Sequence, residues 1–246
     1  MTAGEQVTEL VLLRGPDALS YSDSQSTQDL SGLQVGASAA TFVLDPKGEI
    51  VAAALLRRVE AEAVSFEVPV GVGEPLRARL ERFAIRSKVD IDGPVPLGAS
   101  DVAALDSELS RIKAGLPGPA ELARGLVVHG VAGQLRERCV SFTKGCYPGQ
   151  ELVARMQARG ATPPWVLCRL ELREPAVPGD AAGDPAREGS VTSVAKDPED
   201  DSYLALAVVH RRDAAAETLE VRSSTGTQLA RVQESPSLRS PRGDAS

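Results

Sequence analysis

The sequence has 246 residues, of which 42% are apolar and 25% charged, the proportions of an ordinary globular chain. That balance excludes a wholly disordered, a collagen-like or a disulfide-framework chain, and the length suits one large domain or two to three small ones. Aromatics are only 3% and the net charge is −7, so the core is built from Ala, Val and Leu, and broad nucleic-acid binding, which shows as a basic excess, is not expected. No apolar run approaches the roughly 20 residues of a bilayer span, and the opening MTAGEQVTEL carries no basic, signal-like stretch. The three cysteines, Cys139, Cys146 and Cys168, show no framework spacing and fit a reducing compartment. The expected location is the cytoplasm, with no membrane and no direct nucleic acid among the partners.

Leu10 to Leu13 reads as a strand closed by Arg14-Gly15-Pro16. Tyr21 to Gly32 is polar and suits capping or a polar pocket wall. Ala39 to Leu44 and Glu49 to Leu56 flank Asp45-Pro46-Lys47-Gly48, the residues of a type I turn, and predict a β-hairpin. A strand follows at Ala63 to Val70. Pro75 then opens a helix with Leu76, Leu80 and Phe83 on one face. Gly71-x-Gly73 lacks the remainder of any phosphate-loop fingerprint and reads as a strand-to-helix turn. Ser87 to Ile91 predicts a short strand. Asp101 to Ala114 predicts a helix with Val102, Leu105, Leu109 and Ile112 as its stripe and Ser100 or Asp101 as its cap. Residues 116–130 are punctuated by Gly and Pro around Leu126-Val127-Val128. Ala161-Thr162-Pro163-Pro164 marks a boundary. Beyond it, strands are expected at Trp165 to Leu172, Ser190 to Ala195, Tyr203 to His210, Thr218 to Arg222 and Gln228 to Gln233. Such short, regularly spaced strands predict a small barrel or sandwich. The tail from Ser235 to Ser246 is expected to be mobile.

One segment gathers chemistry: Ser141-Phe-Thr-Lys144-Gly145-Cys146-Tyr147-Pro148-Gly149-Gln150-Glu151. Two glycines and a proline make it a poor helix or strand interior, so a tight loop presenting functional groups is expected. Glu151 to Arg159 reads as a helix ended by Gly160. Glu151 at its N-terminus is favoured by the macrodipole by roughly 0.3–1 kcal/mol, which explains it without a ligand. Cys146 lies two residues from Lys144 and just before the helix. Both features favour a thiolate, although an inert buried cysteine fits the composition too. Neither cysteine spacing nor the two histidines match a zinc pattern, and no metal site is expected.

Lys144-Gly-Cys-Tyr-Pro-Gly-Gln-Glu151 closely resembles the signature of the YgfZ-type folate-binding proteins, relatives of the glycine-cleavage T-protein (aminomethyltransferase). Arg14 to Ala18 with Gln25-Ser-Thr-Gln-Asp29, the Asp45 to Gly48 turn, Arg86-Ser-Lys-Val89, Arg111-Ile-x-x-Gly-x-Pro117, Gly189 to Ser193 and Leu204 to Ala207 resemble the family in the same order. The resemblance covers roughly residues 9–233. One departure is visible: Tyr21-Ser-Asp-Ser24 stands where family members commonly carry an aromatic-Leu-Gln-Gly run.

The resemblance implies an α+β, T-protein-like ring, with two interleaved mixed α/β domains in residues 1–160, a C-terminal β-barrel in 161–234 and the tail in 235–246. It implies tetrahydrofolate as the ligand. It also implies a role in assembly, maintenance or repair of iron–sulfur clusters in client enzymes, radical-SAM tRNA-modifying enzymes among them. Cys146 and Lys144 are the residues assigned to chemistry. Gln25, Thr27, Asp29, Tyr147, Gln150, Glu151 and Arg155 are assigned to the cofactor. Carboxylates and amides suit the N–H edge of a reduced pterin, Tyr147 suits stacking, and cations suit the carboxylate tail. The alternative is a folate-dependent aminomethyltransferase-type one-carbon transferase, for which Asp29 is the candidate carboxylate. A folate-fold scaffold that no longer binds a ligand is a third reading.

Overall fold

The computed structural model describes residues 8–96, 107–224 and 226–236. It is a mixed α+β structure with two antiparallel sheets. The first is formed by β1 (Thr8–Arg14), β2 (Ser38–Leu44), β3 (Ile50–Glu60), β4 (Ala63–Pro69) and β5 (Asp90–Pro96), in the order β2-β3-β4-β1-β5. The hairpin joining β2 and β3 turns at the expected residues. Gly48 N–H donates to Asp45 O, and the Asp45 carboxylate accepts from the N–H groups of Lys47 and Glu49. Two helices, α1 (Ala18–Gln25) and α2 (Gly73–Phe83), cover one face. Val11, Leu13, Leu56 and Phe66 from the strands meet Tyr21, Leu76 and Leu80 there.

Two expectations need correction in this half. The stretch from Tyr21 to Gly32, read as capping or a polar pocket wall with no helix assigned to it, supplies the last five residues of α1. The buried positions of that helix are Ala18, Tyr21, Ser22 and Gln25. Half of them are polar, so no apolar stripe marks the helix in the sequence. The strand expected at Ser87 to Ile91 begins instead at Asp90 and runs through Pro96. Ser87 and Lys88 are held in a turn, by Ala84 O and the Asp17 carboxylate. β5 lies at the sheet edge, where a strand tolerates proline.

The connecting segment holds α3 (Glu108–Lys113), α4 (Pro119–Leu122), a single 3-10 turn at Val128–Gly130, α5 (Gly133–Cys139) and α6 (Gln150–Arg159). The first part of the helix expected over Asp101 to Ala114, with Val102, Leu105 and both proposed caps, lies outside the described residues. The described part is α3, capped by the Ser107 side chain, which accepts from Ser110 N–H. α4 and α5 were not anticipated, being too short to establish a period.

The second sheet comprises β6 (Trp165–Leu172), β7 (Ala181–Ala182), β8 (Ser190–Asp197), β9 (Ser202–His210), β10 (Thr218–Ser223) and β11 (Gly226–Glu234). Its order is β10-β11-β6-β9-β8-β7, and β7 pairs back onto β10 through Ala182 and Val221. The five longer strands fall where the sequence placed them. The two-residue β7 leaves no alternation to read. Residues 237–246 of the expected tail lie outside the described residues.

β9 joins two cores. Leu204, Leu206 and Val208 pack toward the first half of the chain, with Phe42, Leu135, Tyr147 and Val153. Ala205, Ala207 and Val209 point the other way, among Val166, Cys168, Leu170 and Val221. The period of two is retained although both faces are buried. A buried polar cluster adds a second joint. Arg111 Nη1 donates to Glu121 Oε2 at 3.1 Å and to Leu116 O at 2.7 Å, and its Nη2 reaches Ser193 Oγ at 2.6 Å. Glu121 also accepts from Ser193 Oγ at 2.6 Å and from Gly118 N–H at 2.7 Å. The cluster fastens α3 and α4 to β8.

Candidate functional site

Residues 141–149 form the tight loop expected before α6. It is anchored from below by Lys144, whose side chain is 2% exposed. Its Nζ lies 2.6 Å from Asp23 O, 3.0 Å from Asp23 Oδ1, 3.0 Å from Ser26 O and 2.8 Å from Gln28 O. Three of these are main-chain oxygens at or just beyond the end of α1, where carbonyls lack helical partners. The ammonium therefore caps α1 and ties it to the loop. Gly149 adopts φ 81°, and a methyl group there would stand 2.7 Å from Asp45 O and 2.8 Å from Gly48 Cα. The loop thus rests on the β2–β3 turn with no room for a side chain.

Cys146 is exposed, whereas Cys139 and Cys168 are buried. Burial pushes the thiols of Cys139 and Cys168 up to about 12, so both are inert near neutral pH. Cys146 is the accessible thiol. Tyr147 is buried in the core, and burial pushes its phenol up to about 12. Its ring centroid is 5.9 Å from Lys144 Nζ.

The structure divides the other sequence-predicted site residues. Thr27 is fully buried; its Oγ1 donates to Cys139 O at 2.6 Å and accepts from Phe42 N–H at 3.0 Å. Gln25 Oε1 accepts from Arg79 Nη1 at 3.1 Å, while Arg79 Nε donates to Leu44 O. Asp29 is exposed, and its carboxylate accepts from the Ser31 hydroxyl and N–H; these two bonds hold it below its ordinary range. Gln150 is half-buried at the start of α6, and Glu151 and Arg155 are exposed along it. Gln25, Thr27, Lys144 and Tyr147 are thereby brought together beneath the loop. Glu151 and Arg155 face outward, away from that cluster's buried contacts.

A cavity of about 320 Å³ lies on the face of the first sheet opposite α1 and α2. Ala40, Ala53 and Leu55 from the sheet, Leu116 from the α3–α4 turn, and Leu135 and Arg138 from α5 line it. Glu67 of β4 also lines it. None of the nine sequence-predicted residues does. Thr27 reaches its wall from behind, bonding Cys139 O, and the neighbouring Gln28 Nε2 bonds Arg138 O. Sequence reasoning missed Glu67. The signal was present, because Ala63-Val-Ser-Phe-Glu67-Val-Pro69 sets a carboxylate inside a strand that is apolar apart from Ser65, and all seven residues prove buried. The volume and apolar walls suit a small organic ligand. Among the described residues, no group of three or more His, Cys, Asp or Glu could hold a metal ion, and no helix is long and apolar enough to cross a membrane.

No family model matches the chain. An uncharacterized protein of Haemophilus influenzae is 29% identical over 188 aligned positions, which take in 62% of this chain and 67% of that protein. Among solved structures, the glycine cleavage system aminomethyltransferase T from Bartonella henselae superposes with a TM-score of 0.63 at 15% identity, covering 94% of this chain and 84% of that one. The fold is T-protein-like. The likeness extends through both sheets of this T-protein-like chain, since nearly its whole length is matched.

Proposed function

We propose that the chain is a tetrahydrofolate-binding accessory protein for assembly, maintenance or repair of iron–sulfur clusters in client enzymes. The observation that carries this reading is the accessible Cys146 thiol on a loop locked into a T-protein-like fold. Both other thiols are buried and inert, so the fold reserves one cysteine for encounter with something outside. A single thiol is too few for a cluster, which ordinarily takes four protein ligands. Contact with a client's cluster or sulfur species is therefore shared or transient.

The cavity supports the folate part. It has apolar walls for a ring system, Glu67 as an acceptor for its N–H groups and the exposed Arg138 as a cation for the acidic tail. When bound, tetrahydrofolate supplies one-carbon chemistry at its reduced ring. In this reading Thr27 backs the cavity wall through its bond to Cys139 O, Gln25 and Tyr147 support the loop from beneath, Asp29, Gln150, Glu151 and Arg155 are the outer groups offered to the ligand, and Lys144 positions the loop that offers Cys146. A ring of domains with residues 161–234 as a barrel belongs to the same reading, and the return of β7 onto β10 supports it.

Two measurements test it. Anaerobic calorimetry with tetrahydrofolate is expected to give saturable binding, and its absence from folded protein removes the folate part. In cells deleted for this protein, iron–sulfur enzyme activity is expected to return with the wild-type chain and not with Cys146→Ser. Equal rescue by the two removes the thiol part. Production of methylenetetrahydrofolate with glycine-cleavage partners would assign the chain to the transferases instead.

A further inference from the structure

We infer that the end of α2 and the turn after it, from Arg82 to Lys88, are a docking surface for a client protein that presents an apolar pocket rimmed by carboxylates. The inference rests on the client reading above and adds to it where the client is held and by what chemistry.

The run from Leu76 to Val89 carries Arg77, Arg79, Arg82, Arg86 and Lys88 against the single carboxylate of Glu81, in a chain whose net charge is −7. Two of these cations are engaged inside the molecule. Arg77 pairs with Glu74 and Glu81, and the buried Arg79 donates to Leu44 O and Gln25 Oε1. Arg82, Arg86 and Lys88 are exposed, and among the described residues none of the three forms an ion pair. The carboxylates of Asp17 and Asp92 are taken by Lys88 N–H and Arg14. A helix C-terminus favours cations within its last turn, which accounts for Arg82 but not for Arg86 and Lys88 beyond it.

Two large apolar side chains stand among these cations. Phe83 is 37% exposed and Ile85 87%, the highest value for any large hydrophobic among the described residues. Ser87 N–H donates to Ala84 O, which puts Ile85 and Arg86 at the tip of a tight turn. The base of that turn is fixed. Asp17 Oδ2 accepts from Lys88 N–H at 2.7 Å, and Lys88 O packs on Gly15 with no room for a side chain. The Phe83 ring is held by the Arg79 guanidinium, 3.9 Å from its centroid, with that of Arg82 at 6.0 Å. A lone exposed apolar residue is ordinary. Two of them on a fixed backbone, accompanied by three unpaired cations, call for the complementary pattern of apolar pocket and acidic rim. Asp90, two positions past Lys88, is exposed, so the positive surface is narrow and suits a discrete acidic patch better than a continuous anionic membrane.

The surface is joined to the signature loop by direct contacts. Arg79 links Phe83 to Gln25, and the carbonyl of the next residue, Ser26, accepts from the Lys144 ammonium, two positions before Cys146.

The test is rescue of iron–sulfur enzyme activity in cells deleted for this protein. The wild-type chain is compared with Arg82→Glu/Arg86→Glu, Arg82→Lys/Arg86→Lys, Ile85→Ser and Cys146→Ser. The charge-reversed pair and Ile85→Ser are expected to fall to a tenth of wild-type rescue or less, and the lysine pair to stay within twofold. Thermal melts and anaerobic tetrahydrofolate calorimetry on the purified chains are expected to match wild type, which separates docking from folding and from ligand binding. Full rescue by the charge-reversed pair overturns the inference, and failure of Cys146→Ser in the same cells then leaves the client reading standing without it. Equal loss in the reversed and lysine pairs also overturns it, because charge is then not what the partner reads. Where the reversed pair melts early, Ile85→Ser decides alone, and its full rescue overturns the inference. Rescue by Cys146→Ser together with loss in the reversed pair removes the thiol part of the client reading and keeps the docking surface. Wild-type binding to phosphatidylglycerol vesicles that the reversed pair abolishes assigns the surface to lipid and overturns the protein partner.

Discussion

Lys144 has three protons to give and four oxygens within reach. Truncating it strips the ammonium from three main-chain carbonyls and from the Asp23 carboxylate, which keeps only Leu30 N–H, and such losses cost more than the bonds themselves contribute. Lys144→Ala is therefore expected to lose about 2–4 kcal/mol in a denaturant titration. Cys146→Ser changes an exposed atom and is expected to stay within about 0.5 kcal/mol of wild type. A Lys144→Ala loss under about 1 kcal/mol would show that the cage does not hold the loop. The two residues stand two positions apart in the signature and were read together as chemistry. Their burial separates them, and burial was not legible because the lysine's partners are mostly main-chain oxygens 116 to 121 positions away.

At the level of elements, the β2–β3 turn and the loop before α6 are a single contact. Gly48 and Gly149 both have positive φ and face each other across it. Gly149→Ala adds a clash with Asp45 O to a left-handed backbone and is expected to lower stability by about 1–3 kcal/mol. Gly145 in the same loop lies outside the left-handed region and has open space around it, with nothing within 4 Å of an added methyl. Gly145→Ala is expected to change stability by less than about 0.5 kcal/mol. Equal effects of the two on thermal unfolding would sink the contact argument. Each turn was legible from its own residues. Their meeting was not, since nothing local in either motif names its partner.

Across the molecule, β9 joins the core of the first half to that of the second sheet, and the Arg111–Glu121 cluster fastens the connecting helices α3 and α4 to β8. Burial alone would raise the Glu121 carboxyl, but the Arg111 charge and the bonds from Ser193 and Gly118 outweigh it and hold the carboxyl below its ordinary 4.5. The unfolded chain then binds the proton more tightly than the folded one. The stability from Glu121 is present above about pH 4.5 and is lost as pH falls through the lower folded value. Glu121→Gln is expected to cost about 3 kcal/mol at pH 7 and to flatten this acid limb. An unchanged limb in pH-dependent melts would place the linkage elsewhere. The strands of the second sheet were legible because Cys168, Leu170 and Leu172, or Ala205, Ala207 and Val209, alternate at period two. α1, α4 and α5 were not. Their short lengths, and in α1 and α4 their polar buried positions, leave their helicity to tertiary contacts rather than to pattern.

The Lys144 lock bears on how such a chain can drift. Three of its four acceptors belong to the peptide backbone, which every residue type supplies alike. A lineage can exchange the buried Ser26, whose hydroxyl makes no bond, for another small residue, and the lock still closes. The lysine has no such latitude, because no shorter cation spans the distance. One half of this joint is blind to mutation and the other half is intolerant of it.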